Sequence, residues 1–470
     1  MELVNRSRFL IYIVSAIAAL AGLLFGFDTG IISGALLFIQ KDFILSTEMK
    51  ELIVSSVLLG AMMGSLFSGH LTDRFGRRRL MLLISILFIM GTAIASFAHE
   101  VYAILIGRLF IGFAIGIGSY TAPLYIAEVA PFELRGALVS LNQLAITIGI
   151  LCSYLINYAF TTLEGSWRWM FGIGILPAIF LCVGMIFLPE SPRWLVKQNE
   201  IEKATAVLKK LRNSNDISKE IEDIKKSFLM KQGSFKDIFS PWIRPVLFLG
   251  AILGFIQQVT GINTIIYYAP TIFQMAGFQD ASSSILATVG IGVVNVLATI
   301  FAVFFLDSLG RRPLLLTGLV GMFISLLGLS LVFHFNDQWV MMRWIAMGCT
   351  FSFIISFAFS LGAILWLVVS EIFPLEVRGI AMGVAVFSCW FWNFVVSSTF
   401  LTLLNALGAS TTFLCYAVMC ILSFVFCYYK APETSGVTLE QIEENIRKRL
   451  PLRAIGQPVF SKTLATEESS

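Results

Sequence analysis

Residues 52–78 read LIVSSVLLGAMMGSLFSGHLTDRFGRR, an apolar run that ends abruptly in acidic and basic residues. A helix needs about 20 consecutive apolar residues to cross the roughly 30 Å hydrocarbon core of a bilayer. Basic residues gather in the short inner loops of membrane proteins. The stretch therefore predicts a membrane-spanning helix followed by a charged loop on the inner side.

The rest of the chain repeats this design. Hydrophobic residues make up 57% of its 470 residues and charged residues only 13%, and the mean hydropathy is +0.85. Soluble proteins carry about 25% charged residues, so a soluble enzyme, a disordered chain and a nucleic-acid binder all fit poorly. We predict an all-α membrane protein with twelve transmembrane helices, at about residues 9–38, 52–72, 80–98, 101–127, 137–161, 168–188, 244–275, 283–306, 313–334, 341–370, 379–404 and 409–429.

The distribution of Lys and Arg predicts the orientation of the chain. With the N-terminus inside, inner segments hold 28 of the 33 basic residues and outer loops hold four. This asymmetry places both termini in the cytoplasm, as in a multi-pass protein of the cell membrane. One basic residue, Arg108, falls inside a span.

Two halves of the chain carry the same motifs in the same order, which indicates a parallel repeat of six-helix units around a site at the membrane midplane. We predict an N-terminal half at 1–189, a cytoplasmic linker with short amphipathic helices at 190–243, a C-terminal half at 244–430 and a cytoplasmic tail at 431–470. The matching motifs are DRFGRR at 73–78 and DSLGRR at 307–312, Glu128 with Arg135 and Glu371 with Arg378, and PE at 189–190 and 432–433.

The acids and arginines of these motifs are the candidate members of an inner gate. Positive-inside charge alone does not explain acids paired with arginines at fixed spacing. We expect salt-bridge networks that lock the two halves together on the inner side and release during transport. The expected members are Asp73, Arg77, Glu128, Arg135, Asp307, Arg311, Glu371 and Arg378.

Two charged residues lie where a membrane span should be apolar. Asp28 is about 20 residues into the first span, and Arg108 is in the first third of the fourth. An isolated charge at the bilayer centre costs about 2.5–3.5 kcal/mol on insertion scales, so the two are expected to pair. The pair is either a fixed structural contact or a proton site.

A cluster of amides interrupts the seventh span. Gln257, Gln258 and Asn263 lie near its middle, and Gly261 between them suggests a helix that breaks and faces a cavity. The amides bind a polar ligand or join helices by hydrogen bonds. Gln143 and Asn295, in the fifth and eighth spans, are open to the same two interpretations.

These motifs resemble the sugar porter family of the major facilitator superfamily, and bacterial pentose or hexose–proton symporters in particular. The resemblance covers the length of the chain and rests on GFDT at 26–29, DRFGRR at 73–78, PESPRW at 189–194, QQ and G-x-N at 257–263, D-x-x-GRR at 307–312, Glu371 with Pro374, Arg378 and Gly379, and PET at 432–434.

The resemblance implies roles for the polar residues. Asp28 would bind the coupling proton, with Arg108 as its counter-ion. The five amides Gln143, Gln257, Gln258, Asn263 and Asn295 would contact sugar hydroxyls. The resemblance also places Trp366 and Trp390 beside the sugar. From their positions in the chain, Phe25 near Asp28 is expected to contact both cavity and gate, and either Tyr267 or Tyr268 is expected to line or close the outer entrance.

Two positions depart from the family pattern. A Gly-Pro-x-x-Trp motif is frequent in the tenth span, but Ala363 replaces the proline here, so no proline is present to break the helix. Cys389 replaces an amide that often precedes the tryptophan of the eleventh span, which removes a strong hydrogen-bonding group. The departures bear on which sugar is carried.

The sequence therefore predicts a proton-coupled monosaccharide symporter that works by alternating access. The expected partners are a monosaccharide, protons and the lipid bilayer, with no nucleic acid, no cofactor besides the proton, and function as a monomer. A facilitative uniporter and a transport-inactive sugar sensor are the alternatives. An enzyme is disfavoured, because the sequence contains no nucleophile–base constellation, metal-ligand cluster or phosphate-binding loop.

Overall fold

The computed structural model describes residues 2–212, 217–229, 233–335 and 340–457, and within them it confirms the predicted fold. Twelve helical segments of these residues are long and apolar enough to cross a membrane. The ends of the described chain at Glu2 and Gln457, the described part of the linker and the arginine motifs lie on one side, called the inner side below, because an even number of spans separates any two of them.

The spans of the N-terminal half are built from seven helices, and its sixth span is divided into two short ones. They are α1 (Glu2–Asp42), α2 (Thr47–Phe75), α3 (Arg77–Ser96), α4 (Val101–Val129), α5 (Arg135–Ala159), α6 (Ser166–Gly172) and α7 (Ile175–Phe187). Three shorter helices follow between the halves: α8 (Pro192–Lys197), α9 (Ile201–Arg212) and α10 (Ser218–Leu229). These three pack around a small apolar cluster of their own that includes Leu195, Leu208 and Ile224.

The C-terminal half contains eight helices, because its first and fourth spans are each interrupted. They are α11 (Arg244–Val259), α12 (Ile262–Met275), α13 (Ala281–Leu309), α14 (Arg311–Phe335), α15 (Val340–Phe357), α16 (Ile364–Ile372), α17 (Arg378–Ser397) and α18 (Phe400–Lys430). The tail adds α19 (Leu439–Arg447), whose first turn is closed by a capping box between Thr438 and Gln441.

Small residues let the helices of a half approach closely. The main contacts in the N-terminal half are α2 with α4 and α1 with α5. A Cβ atom on Gly112 of α4 would come within 1.9 Å of the Val57 carbonyl oxygen of α2, so only glycine fits there. The halves meet mainly where α5 packs on α13, α2 on α17 and α1 on α12, with a smaller contact between α2 and α18, and the candidate site lies at this seam.

Candidate functional site

The charged pair predicted in the N-terminal half is present and buried. Asp28 of α1 is 2% exposed and Arg108 of α4 is fully buried. The guanidinium Nη1 lies 3.3 Å from Asp28 Oδ1 and Nη2 lies 3.5 Å from Oδ2, with Nη2 also 3.4 Å from the Val54 carbonyl. Each charge is thus neutralised by the other inside an apolar bundle, which is the arrangement that makes burial tolerable.

Tyr267 connects this pair to the other half. It is 1% exposed on α12, and its hydroxyl lies close to the side chains of Thr29 and Asn393. Thr29 directly follows Asp28 in α1, and Asn393 is a buried residue of α17 in the C-terminal half. A change in the charge of Asp28 would therefore act next to a contact between the halves.

Asn393 is a residue of this site that was not predicted from the sequence. It is 3% exposed and accepts a hydrogen bond of 3.1 Å from Ser397 Oγ, one turn further along α17. The available signal was an amide in an apolar span, three residues after Trp390, which places both on one face of the helix.

The break in the seventh span occurs where Gly261 predicted it. Helix α11 ends at Val259 and α12 begins at Ile262, and Gly261 between them has φ +89°. This left-handed conformation is accessible to glycine at little cost, whereas a side chain would be strained. The residues at the break are buried, and the amides Gln257, Gln258 and Asn263 lie on either side of it.

The three amides of this span form one hydrogen-bonded chain. Asn263 Nδ2 donates to Gln258 Oε1 at 2.7 Å, and Gln258 Nε2 donates to Gln257 Oε1 at 3.2 Å. Gln257 Nε2 in turn donates to the Leu361 carbonyl at 2.9 Å. The amides are thereby held in fixed orientations, as a binding site for a polyhydroxylated ligand requires.

Cys389 takes part in this chain through its thiol. Gln258 Nε2 lies 3.0 Å from Cys389 Sγ, and the thiol lies 3.1 Å from Gln257 Oε1. Sulfur is a weak donor and a weak acceptor, so the residue fills the position of the missing amide with less hydrogen-bonding strength.

The tenth span is interrupted even though its proline is absent. A π-helical turn at Ala358–Gly362 separates α15 from α16. Such turns leave backbone carbonyls without their usual partners, and the bond from Gln257 to the Leu361 carbonyl supplies one. The half-buried Trp366 lies one turn beyond the interruption, in α16.

Aromatic residues meet across the seam between the halves. The ring of Phe25 in α1 lies 5.4 Å from that of Trp390 in α17, measured between centroids. Gln143 and Asn295 lie on α5 and α13, which pack against each other across the same seam. Gln143 is half-buried and Asn295 is 7% exposed, and among the hydrogen bonds of the described residues neither side-chain amide has a protein partner.

The inner motif of the N-terminal half forms a buried network. Arg77 makes two contacts of 2.8 Å with Glu128, one from Nε and one from Nη2, and a longer one of 3.5 Å with Asp73. Glu190 accepts the backbone N–H groups of Arg77 and Arg78 at the turn between α2 and α3. Burial raises the pKa of the Glu190 carboxyl, and these N–H donors oppose the rise.

The C-terminal half repeats these contacts. Arg311 lies 3.5 Å from Glu371, and Glu433 accepts the backbone N–H groups of Arg311 and Arg312 at 3.1 and 3.0 Å. Thr434 donates to Glu371 as Ser191 donates to Glu128 in the first half. The side chain of Asp307 lies outside the described residues.

The comparisons with known proteins agree with this geometry. The family model described as "Sugar (and other) transporter" matches residues 14–446. The chain is 42% identical to a glucose transporter of Staphylococcus epidermidis, covering 94% of this chain and 98% of that one, and 40% identical to a galactose-proton symporter of Escherichia coli, covering 95% and 96%. The inward-open structure of the xylose transporter of Escherichia coli has a TM-score of 0.81 at 30% identity, covering 92% and 99%.

The chain belongs to the sugar transporter family. This sugar transporter is a multi-pass membrane transport protein, not an enzyme. Its resemblance to the sugar porters, noted from short motifs, extends over nearly the whole chain.

In this structure of the sugar transporter, the inner gate residues do not join the two halves. Among the described ion pairs of the eight gate residues, Arg77 joins Asp73 and Glu128, and Arg311 joins Glu371. Asp73 also joins Lys197 of the linker, so none of these pairs joins one half to the other in this conformation. Arg378 donates to the Phe373 carbonyl of its own half, and Arg135 lies over the ring of Phe132.

The gate residues pair within each half, and not between the halves, because of the conformation that the structure describes. On the outer side the halves touch, for example where the Tyr154 hydroxyl of α5 donates to the Ile266 carbonyl of α12 at 3.0 Å. A transporter that rocks about a central site opens one side as it closes the other. Inner contacts between halves are therefore expected in a different state from the one described.

The Arg77–Glu128 contact predicts a large loss of stability on substitution. Replacing Arg77 with Ala leaves Glu128 buried without its charged partner, which costs about 3–5 kcal/mol. We expect a clear fall in the thermal unfolding temperature of the purified protein. The matched control is Arg79→Ala, because Arg79 is exposed and has no ion pair among the described residues. Equal effects of the two substitutions would contradict the prediction.

Proposed function

We propose that this chain is a proton-coupled monosaccharide symporter that works by alternating access. The observation that carries the proposal is the buried Asp28–Arg108 pair, which adjoins a contact between the halves at Tyr267. The names of relatives that couple galactose or arabinose to protons support it.

The sugar is proposed to bind at the seam between the halves. Gln257, Gln258 and Asn263 supply hydrogen bonds from the C-terminal half, with Gln143 and Asn295 on the paired helices α5 and α13. Trp366, Trp390 and Phe25 supply apolar surface for the C–H faces of the ring. When the halves close around the sugar, the amides and the aromatic rings contact it at the same time.

The proton is proposed to act through the charge of Asp28. Protonation removes the negative charge that balances Arg108, which weakens the pair and changes the polar environment of Thr29 and Tyr267. Since Tyr267 belongs to the other half, the change alters the balance between outward and inward states. A proton and a sugar bound together then favour inward movement, and the membrane potential drives it.

We further propose that both termini lie in the cytoplasm, that the chain resides in the cell membrane, and that one chain suffices for transport without a cofactor. The inner arginine networks stabilise each half and are proposed to meet across the seam when the inner side closes.

Uptake by the purified protein in sealed vesicles tests the function. Labelled galactose, glucose, xylose and arabinose are supplied with an imposed proton gradient, with and without a protonophore. We expect accumulation of at least one sugar above its external concentration, abolished by the protonophore. Equilibration that the protonophore does not affect would indicate a uniporter, and failure of every sugar to enter would indicate a sensor or another substrate.

A further inference from the structure

A buried carboxylate joins the two halves on the outer side. Glu51, in the second turn of α2, is 3% exposed. One of its oxygens accepts the backbone N–H of Thr402 at 2.7 Å, and the other accepts the Thr402 hydroxyl at 2.7 Å. One turn further along α18, Asn405 Nδ2 donates to the Thr47 hydroxyl at 3.0 Å. Two residues of α2 thus hold two residues of α18.

Glu51 has no ion-pair partner among the described residues, so another source must offset its charge. Thr402 is the third residue of α18, where backbone N–H groups lack partners within the helix. The helix dipole also favours a negative charge at this end. The carboxylate is therefore satisfied only while the outer end of α18 stays against α2.

The part of α18 that Glu51 holds is set apart from the rest of the helix. Gly408 has φ +78° and ψ 163°, which interrupts α18 after eight residues. No heavy atom lies within 4 Å of the place where a Cβ would stand on Gly408, so the interruption is not forced by close packing. Residues 400–407, called the outer segment below, can turn about this glycine.

The outer segment also contacts the helix that carries Tyr267. The fully buried ring of Phe400 lies 5.0 Å from that of Tyr268 in α12, between centroids. The Tyr268 hydroxyl donates to the Ser397 carbonyl at 3.0 Å, just before the outer segment begins. Tyr268 itself has non-helical backbone angles, which marks a kink in α12.

We propose that Glu51 and Thr402 form a latch that holds the outer segment against α2 and so keeps the outer side closed. Opening to the outside requires the carboxylate to release the N–H and hydroxyl of Thr402. Release also frees Phe400 from its fixed position against Tyr268, so the outer half of α12 moves with the outer segment. Glu51 and Thr402 are positioning residues, because they act on the transport cycle without touching the proposed sugar site.

Distances between spin labels on the two outer surfaces test the latch. Labels are attached to cysteines introduced at Ile44, which precedes α2, and Gln279, which precedes α13, both exposed. The exposed native Cys415 is replaced with Ser. Labelling of the remaining native cysteines is measured as background on the same chain without the two added cysteines. The protein is measured in lipid without sugar or a proton gradient, so the result does not depend on the proposed function.

We expect Glu51→Ala and Thr402→Val to raise the population with long outer distances about tenfold, since hydrogen bonds to a charged group are lost. Thr402→Val removes only the hydroxyl, so it remains informative if Glu51→Ala does not fold. The matched control is Glu48→Gln, an exposed acid one turn earlier on α2.

Unchanged distances in a folded Thr402→Val protein, or an equal shift in the Glu48→Gln control, would overturn the latch. A shift in distance with unaltered uptake of every sugar would uphold the latch and show that outer opening does not limit transport.

Discussion

Replacing Asp28 with Asn is expected to abolish proton-driven sugar accumulation while leaving sugar exchange across the membrane. The carboxylate is the one acidic side chain described beside Arg108 in the N-terminal bundle, and an amide cannot carry a proton through the cycle. A proton crossing 100 mV supplies about 2.3 kcal/mol, which is enough for roughly 50-fold accumulation before any pH gradient is added. That driving force is lost with the carboxylate.

The measurement compares two assays on the same vesicles. Net uptake under a proton gradient reports accumulation, and exchange of labelled for unlabelled sugar without a gradient reports a folded, moving transporter. Asp280→Asn is the matched control, since Asp280 is exposed in the loop before α13 and is expected to leave both assays unchanged. Full accumulation by the Asp28→Asn protein would refute the assignment of the proton site.

The second large effect is expected at Trp390. Replacing it with Ala removes the ring that packs 5.4 Å from Phe25 across the seam, and with it the apolar surface proposed for the sugar. Loss of a buried aromatic anchor costs about 2 kcal/mol or more in binding, so we expect the dissociation constant for sugar to rise about 30-fold. Calorimetric titration of the detergent-purified protein measures this directly.

Trp392 provides a control of the same residue type. It lies two residues further along α17 and packs 4.7 Å from Phe255 and 5.3 Å from Phe391, rather than against Phe25. We expect Trp392→Ala to leave sugar affinity within a few-fold of the unchanged protein. If the two substitutions weakened sugar binding equally, the proposal that Trp390 contacts the sugar would be contradicted.

The fold was predictable because the bilayer makes the sequence easy to interpret. Polar backbone groups must pair within each spanning segment, so long apolar runs become helices with few alternatives. The break at Gly261 was predictable from local sequence, because a glycine among amides in an apolar run is typical of an interrupted helix. The pairing of Asp28 with Arg108 followed from the cost of leaving either charge alone.

Other features depend on the arrangement of distant segments, which spacing along the chain does not report. Glu128 and Arg135 recur as a spaced pair, yet Glu128 contacts Arg77, more than 50 residues earlier. The π-helical turn in the tenth span arises without a proline, and one of its carbonyls is satisfied by Gln257 from another helix. Glu51 stands at the outer end of a span, where an acid is unremarkable until its partner Thr402 is known.

The repeat of the two halves has a consequence for how this transporter arose. Asp28 lies two residues after Gly26 in the first span of the first half. Asn263 likewise lies two residues after Gly261 in the first span of the second half. If the halves descend from one duplicated six-helix ancestor, the same position became an ionisable acid in one copy and a neutral amide in the other. After such a duplication, proton coupling belongs to the N-terminal half, whereas most of the proposed sugar-binding amides belong to the C-terminal half.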